Sequence, residues 1–270
     1  MSIEARVKNN RNTKILGAVL VSAALLVSAG CKKQSTSAGE PGATAAYATI
    51  DWNTAGTITG TVHFPHKSGP PPVEIDMAQD PACNTGPTNY SEGYMVKDGK
   101  LQNVFVYVKD GLGNRIYPAP SEPVVIDQKG CRYTPHVIGV QTGQPVRFTN
   151  SDPTMHNIHM MPTVRGNDTV DISQPPNSGA DTRVFHSPEL MIPVRCNNHP
   201  WMQAFINVSS NPFFAVTDAN GHFVIKGLPP GTYTVVADHE KLGQVSETVT
   251  VGAKQTVTQD FDYSGQATQP

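Results

Sequence analysis

Charge is scarce in this chain. Only 16% of its 270 residues are charged and the formal net charge is −2. Neither a long basic patch nor an acidic tail is present, so the electrostatic footprint of a nucleic-acid binder is missing. Helical periodicity is also missing, apart from one stretch near the N-terminus. No internal repeat of fixed period is visible, and no aromatic platform for a sugar stands out. What remains points one way. Gly and Pro each number 23, and Thr and Val are frequent. Such a composition suits an all-β protein with many turns, and the length suits two modest domains or one large one.

The helical exception is "KILGAVLVSAALLVSAGC", residues 14–31. Arg6, Lys8, Arg11 and Lys14 precede or open it, and Ser28, Ala29 and Gly30 lead to Cys31. A charged, then apolar, then small-residue order is that of a secretory signal peptide. The apolar run from Ile15 to Gly30 is short against the about 20 residues needed to span a bilayer, so a membrane helix is the weaker reading. The cysteine placement resembles a bacterial lipobox, with Ser28 where that motif usually carries Leu. The resemblance implies lipidation at Cys31 and a membrane-anchored lipoprotein in the periplasm or at the cell surface. Lys32 after the cysteine leans toward the outer membrane. Residues 31–50 are small and polar and read as a tether.

The chain has four cysteines. Cys31 is taken by lipid, and Cys196 lies in a ligand-rich loop. Cys83 and Cys131 remain, and outside the cytoplasm two such cysteines most simply pair. Two buried free thiols are the alternative. A bridge of this span contributes about 4 kcal/mol in the loop-closure picture. With Cys83 early in the chain and Cys131 further on, the bridge is expected to staple two domains.

Strand signals fill the rest. "TITGTVHF" (57–64) alternates, with Ile58, Val62 and Phe64 on one face. "KDGKLQNVFVYVKDG" (97–111) reads as a turn and a strand, and "SEPVVIDQ" (121–128) as a short strand. "GVQTGQPVRFTNSD" (139–152) reads strand, turn, strand. Further strands are expected at "MHNIHM", "TRVFHS", "MIPVRC" and "AFINV". Asn220-Gly221 signals a hairpin.

The stretch that carries chemistry is "RCNNHPWMQAF", residues 195–205. Cys196, His199 and Met202 are three of the softer metal ligands a protein offers. A copper site, a zinc corner, a catalytic thiol and an inert loop all stay open on this stretch alone.

Two family resemblances meet in the chain. "TDANGHFVIKGLPPGTYTVVA" (217–237) resembles the second half of a carboxypeptidase-regulatory-like domain, a small transthyretin-like β-sandwich. "GTITGTVHF" and "LQNVFVYVKDG" resemble its first half. The two halves are far apart here, which implies a second domain inserted between them; two separate sandwiches in series are the alternative. The intervening stretch resembles a cupredoxin of amicyanin type. "GVQTGQPVRFTNSD" has its strand pattern, "MHNIHM" its His-Asn pair, and "CNNHPWM" its Cys-x2-His-x2-Met loop. That resemblance implies one type 1 copper held by His156, Cys196, His199 and Met202, with Asn157 hydrogen-bonding the ligand loop. It also implies that the His199 edge is the electron exit, with Pro200 and Trp201 as the apolar surface where a partner docks.

Ligand chemistry agrees, since two imidazoles, one thiolate and a weak thioether make a blue-copper set. Structural zinc usually takes more cysteines. No orienting Asn or Asp partner or nucleophile motif supports a catalytic cysteine. On a strand, His156 and His159 face opposite ways, so His159 is expected at the surface or behind the ligands. His136 falls near the site without a ligand role. His63, His66, His186, His222 and His239 are expected to be solvated. Met155, Met160, Met161 and Met191 are read as packing or docking residues.

The expected organisation is therefore all-β: a signal peptide (1–30), a tether (31–50), and a transthyretin-like β-sandwich in two pieces (51–124 and 211–263). A cupredoxin Greek-key β-sandwich (125–210) lies between the pieces, and a tail (264–270) follows. The expected function is one-electron transfer with a redox partner protein, not enzymatic catalysis. Copper storage, sensing or delivery is a second possibility, and a surface interaction or carbohydrate-binding module a third.

Overall fold

The computed structural model describes residues 46–265. Cys31, the signal peptide, most of the tether and the end of the tail lie outside the described residues. Every regular element among the described residues is a β-strand. The strands build two sandwiches with separate cores.

The first sandwich is made from the two ends of the described chain. Gly56–His63 has strictly alternating burial, so Ile58 and Val62 fill the core while Thr57, Thr59 and Thr61 face outward. It pairs antiparallel with His222–Leu228, and parallel with Thr256–Thr258 and Phe261–Asp262. Gly60 has no room for a side chain, since a Cβ there would lie 1.8 Å from the Gln259 carbonyl oxygen. The facing sheet runs Phe214–Val216, Phe105–Asp110, Gly231–His239, Gly243–Val251. Between them lie Phe64, Val106, Phe213, Phe223, Tyr233 and Phe261.

Asn220-Gly221 makes its turn, with Gly221 at φ +68° and the Asp218 carboxylate accepting the Asn220 and His222 N–H groups. The expected hairpin does not follow. Phe214–Val216 and His222–Leu228 pair in opposite sheets, so the turn carries the chain across the sandwich.

The second sandwich uses the middle of the chain. One sheet runs Asp181–Val184, Pro145–Asn150, Val124–Gln128, Tyr133–Thr134. The other runs Val170–Gln174, His156–Met160, Glu189–Arg195, Gln203–Ser209, Val137–Gln141. Two pairs are parallel, Pro145–Asn150 with Val124–Gln128 and Gln203–Ser209 with Val137–Gln141, so the chain crosses between sheets instead of meandering. Ile126, Val146, Phe148, Ile158, Val194 and Ile206 are fully buried between the sheets.

One boundary differs from expectation. The sequence pattern places residues 51–124 whole in the first sandwich, yet Ile75, Met77 and Cys83 pack on the second core. Cys83 and Cys131 are joined, with Cα atoms 5.5 Å apart, and both belong to that second core. The bridge therefore pins an irregular segment onto one sandwich and does not staple the two. That segment has few alternating apolar positions, and the bond fixes one point of it against the second core.

The sandwiches touch directly. Gly139 lies against the Phe105 and Phe214 rings, leaving no space for a Cβ.

Candidate metal centre

The strand His156–Met160 pairs with Glu189–Arg195 through His159 and Arg195, which brings the start of the first strand beside the end of the second. Glu189–Arg195 pairs in turn with Gln203–Ser209, and Arg195 faces Gln203. The loop 196–202 is thus closed at its neck by a strand pair. His199 closes its far side, its carbonyl accepting the Met202 N–H at 2.9 Å.

His156, Cys196 and His199 converge inside this frame, their ligand atoms all within 4.8 Å of one another. His156 Nδ1 and His199 Nδ1 are 2.9 Å apart, and Cys196 Sγ is 3.6 Å from His199 Nδ1. All three residues are buried, and Cys196 is a free thiol. Met202 is also buried, in the same core as Cys196. Asn157 contributes through its backbone, its N–H donating to Cys196 Sγ at 3.3 Å. Its side-chain amide donates instead to Ser173 on the neighbouring strand.

The outer edge of each imidazole is also committed. His156 Nε2 donates to Asp152 Oδ2 at 2.9 Å, and His199 Nε2 donates to Asp80 Oδ2 at 2.9 Å. A carboxylate on Nε2 fixes the proton there and leaves Nδ1 with a bare lone pair. Two such lone pairs at 2.9 Å repel unless a proton or a metal ion lies between them. Burial holds the His156 imidazole below its ordinary pKa despite Asp152, which favours the neutral, ligating form. The His199 hydrogen bond holds the Asp80 carboxyl below its ordinary value. Two imidazole nitrogens and one thiol, with a thioether in the same core, suit copper better than a closed zinc tetrahedron.

Neighbouring residues lock the loop. His159 is half-buried, its Nδ1 2.9 Å from Asn197 Oδ1, and the Asn197 amide donates to Asp171. Tyr133 donates its hydroxyl to the Asn157 carbonyl. Trp201 is half-buried, its indole N–H donating to the Cys131 carbonyl at 3.1 Å, and Pro200 is exposed. His199 is only 3% exposed, and its outer nitrogen meets Asp80. Met160 is buried in the core, while Met155 and Met161 are exposed.

Residues 197–264 match the carboxypeptidase regulatory-like domain family. The match starts inside the ligand loop and includes the 217–237 stretch. No curated protein matches the chain. Among solved structures, an amicyanin from Paracoccus versutus (Thiobacillus versutus) aligns at 20% identity over 33% of this chain and 84% of that chain, with a TM-score of 0.30. A Cu-containing nitrite reductase from Thermus scotoductus SA-01 aligns at 21% identity over 33% of this chain, with a TM-score of 0.29. The chain spans 22% of that reductase.

Two site residues escaped sequence reasoning, Asp80 and Asp152. Asp152 lies four residues before His156, which was a usable signal. Asp80 lies 119 residues from His199, and nothing local links them. His239 also departs from expectation. It is 1% exposed, stacked on Tyr94 and edge-on to Tyr263, and is not solvated.

Proposed function

We propose that this chain is an extracytoplasmic, lipid-anchored copper protein that passes single electrons through one type 1 centre. Its ligands are His156, Cys196, His199 and Met202. The observation that carries the reading is the pair of Nδ1 atoms, 2.9 Å apart and both facing inward, beside a buried free thiol. His156 and His199 would supply two imidazole nitrogens, Cys196 the thiolate, and Met202 a weak thioether. Copper bound there supplies a one-electron couple. Strands on both sides of the loop hold the four side chains in place, so little has to move when the charge changes. Burial of all four residues favours retention of the ion over its delivery.

The same proposal makes the metal-bearing sandwich a guest in a loop of the regulatory-like sandwich. Pairing of Gly56–His63 with His222–Leu228 across the intervening sequence supports it. Cys31 carries the lipid, and a redox protein is the partner.

The test is copper loading of the purified protein. The wild type is expected to take one copper, to be strongly coloured, and to give a reversible voltammetric couple, while Cys196→Ser is colourless. A colourless wild type that binds zinc through the same residues refutes the copper reading. Fast loss of Cu(I) to a chelator without a reversible couple replaces electron transfer with delivery.

A further inference from the structure

The disulfide lies directly behind the candidate metal centre. Cys83 Sγ forms a tight group with an Asp80 carboxylate oxygen and a His199 nitrogen, all within 4.8 Å of one another. Cys131 Sγ forms the matching group with Asp152 and His156. Each half of the bridge thus abuts one carboxylate–imidazole pair.

Hydrogen bonds complete the connection. Asp152 holds His156 through Oδ2, and the same oxygen accepts the Cys131 N–H at 2.7 Å. Its Oδ1 accepts the Gly130 N–H at 2.6 Å. On the other side, the Asp80 carbonyl accepts the Cys83 N–H at 2.9 Å, and Asp80 Oδ1 accepts the Ala82 N–H at 2.9 Å. Asp80 Oδ2, which holds His199, also takes the Thr154 hydroxyl at 2.9 Å. The segment that presents Asp80 belongs to no sheet. It is held to the metal-bearing sandwich by the disulfide, by burial of Met77, by the Thr154 bond, and by an Asn89 amide donating to the Gly130 carbonyl.

We propose that Asp80 and Asp152 are positioning residues for the two ligand imidazoles, and that the Cys83–Cys131 disulfide is the brace that holds both carboxylates in register. The inference rests on the copper reading for its consequence, but its geometric half concerns the metal-free chain. With both carboxylates fixed, each imidazole keeps its proton on Nε2 and its lone pair on Nδ1, and Asp80 covers the outer edge of His199. Without the brace, the Asp80 segment loses its covalent tie and His199 can rotate. A cross-link far in sequence from Cys196 and Met202 thereby controls how firmly the centre keeps its ion.

The test uses the full mature chain in two arms. In the metal-free protein, long-range proton–nitrogen NMR on the histidine rings is expected to show Nε2 protonated on both His156 and His199, with any further proton shared between the two facing Nδ1 atoms. Asp80→Ala is expected to leave His156 unchanged and to mix the tautomers of His199, and Asp152→Ala the reverse. In the copper-loaded protein, transfer of Cu(I) to a competing chelator is expected to speed up by roughly 10–100-fold in Asp80→Ala and in the double variant Cys83→Ser/Cys131→Ser, the usual scale for losing an outer partner of a metal-bound histidine. Asp80→Glu, which keeps the carboxylate, is expected to restore part of the slow rate. If the double variant does not fold, Thr154→Val, which removes only the hydroxyl bond to Asp80, is expected to give a smaller increase in the same direction.

Unchanged tautomers and unchanged copper transfer in a folded double variant overturn the brace. A wild type that takes no copper, but whose tautomers respond to Asp80→Ala and Asp152→Ala as stated, overturns the copper reading while leaving the positioning roles intact.

Discussion

His136 Nε2 lies 2.6 Å from Glu240 Oε1, and the two residues come from different sandwiches. His136 precedes Val137–Gln141 in the second sandwich, and Glu240 follows Gly231–His239 in the first. The second ring nitrogen, Nδ1, faces the Gln203 carbonyl at 3.0 Å and the Glu92 carboxylate at 3.7 Å. Both nitrogens face acceptors, an arrangement that favours the protonated ring. Arg132 balances the second carboxylate by pairing with Glu92 at 2.5 Å. Burial pulls the His136 pKa down, but Glu240 and then Glu92 push it up, and the net shift is upward.

A raised folded-state pKa gives stability that is complete below the unfolded value near 6.5 and is lost as pH rises through the folded value. His136→Gln leaves Glu240 buried without its cation and is expected to cost about 3 kcal/mol at pH 6. The difference from wild type should shrink toward pH 9. Urea unfolding at the two pH values measures it, and a gap that stays constant counts against a charged His136.

His239 works in the opposite sense. Burial lowers its pKa from 6.5 to about 4. Its Nδ1 accepts the Lys241 N–H, and its Nε2 is buried without a partner, so a second proton has no acceptor. The unfolded chain binds that proton more readily, so stability falls as pH drops from about 6.5 to about 4, by about 3 kcal/mol in total. Charges nearby are Glu240, His136 and Lys241. Asp238, whose pKa burial raises, opposes this trend at the acid end. Comparison with His239→Phe isolates the term: the variant should lose less stability than wild type across the window. Parallel acid limbs for the two proteins would sink the idea.

Gly139 is the close-contact point between the two cores. A Cβ there would lie 2.6 Å from the Phe105 ring and 2.7 Å from the Phe214 ring. Gly139→Ala is expected to destabilise by about 1–3 kcal/mol, the range for forcing extra volume into a packed site. Because the strain falls between sandwiches, the thermal transition should also broaden or split. Gly179→Ala, where nothing lies within 4 Å, is the control and should melt like wild type.

The legible parts of this molecule were the local ones. Alternation in Gly56–His63 was readable because a strand with one buried face has a period of two. Cys196, His199 and Met202 stood out because three side chains of metal-ligand type fall on one short loop. The Asn220-Gly221 turn was readable, but its role was not, since strands that pair and strands that part have the same alternation. The packing of Met77 and Cys83 on the second core depends on a bond to Cys131, 48 residues away. Asp80 lies 119 residues before His199, and no short pattern encodes their contact. His239 looked solvated because a lone histidine carries no mark of the Tyr94 and Tyr263 rings around it.

Attachment to the membrane depends on Cys31 in the proposed reading. Cys31→Ala is expected to give either a soluble product or an unprocessed precursor when cells are fractionated. Attachment that survives the substitution would point to a retained apolar helix instead.

Met202 separates the roles within the proposed ligand set. It is 1% exposed, and its N–H is tied to the His199 carbonyl, so its backbone position depends on the loop and not on any ion. Leucine has nearly the same volume, and Met202→Leu should therefore cost less than about 1.5 kcal/mol in stability. His156, Cys196 and His199 keep their positions, because Asp152, Asn157 and Asp80 hold them from outside the loop end. The variant is accordingly expected to bind copper with the wild-type stoichiometry and to remain coloured. Its reduction potential should rise, since a weak donor to Cu(II) has gone while the three stronger ligands remain. Voltammetry of the two proteins side by side gives the answer. An unchanged potential would show that the Met202 sulfur is only core packing, and loss of colour would show that it is needed to assemble the site at all.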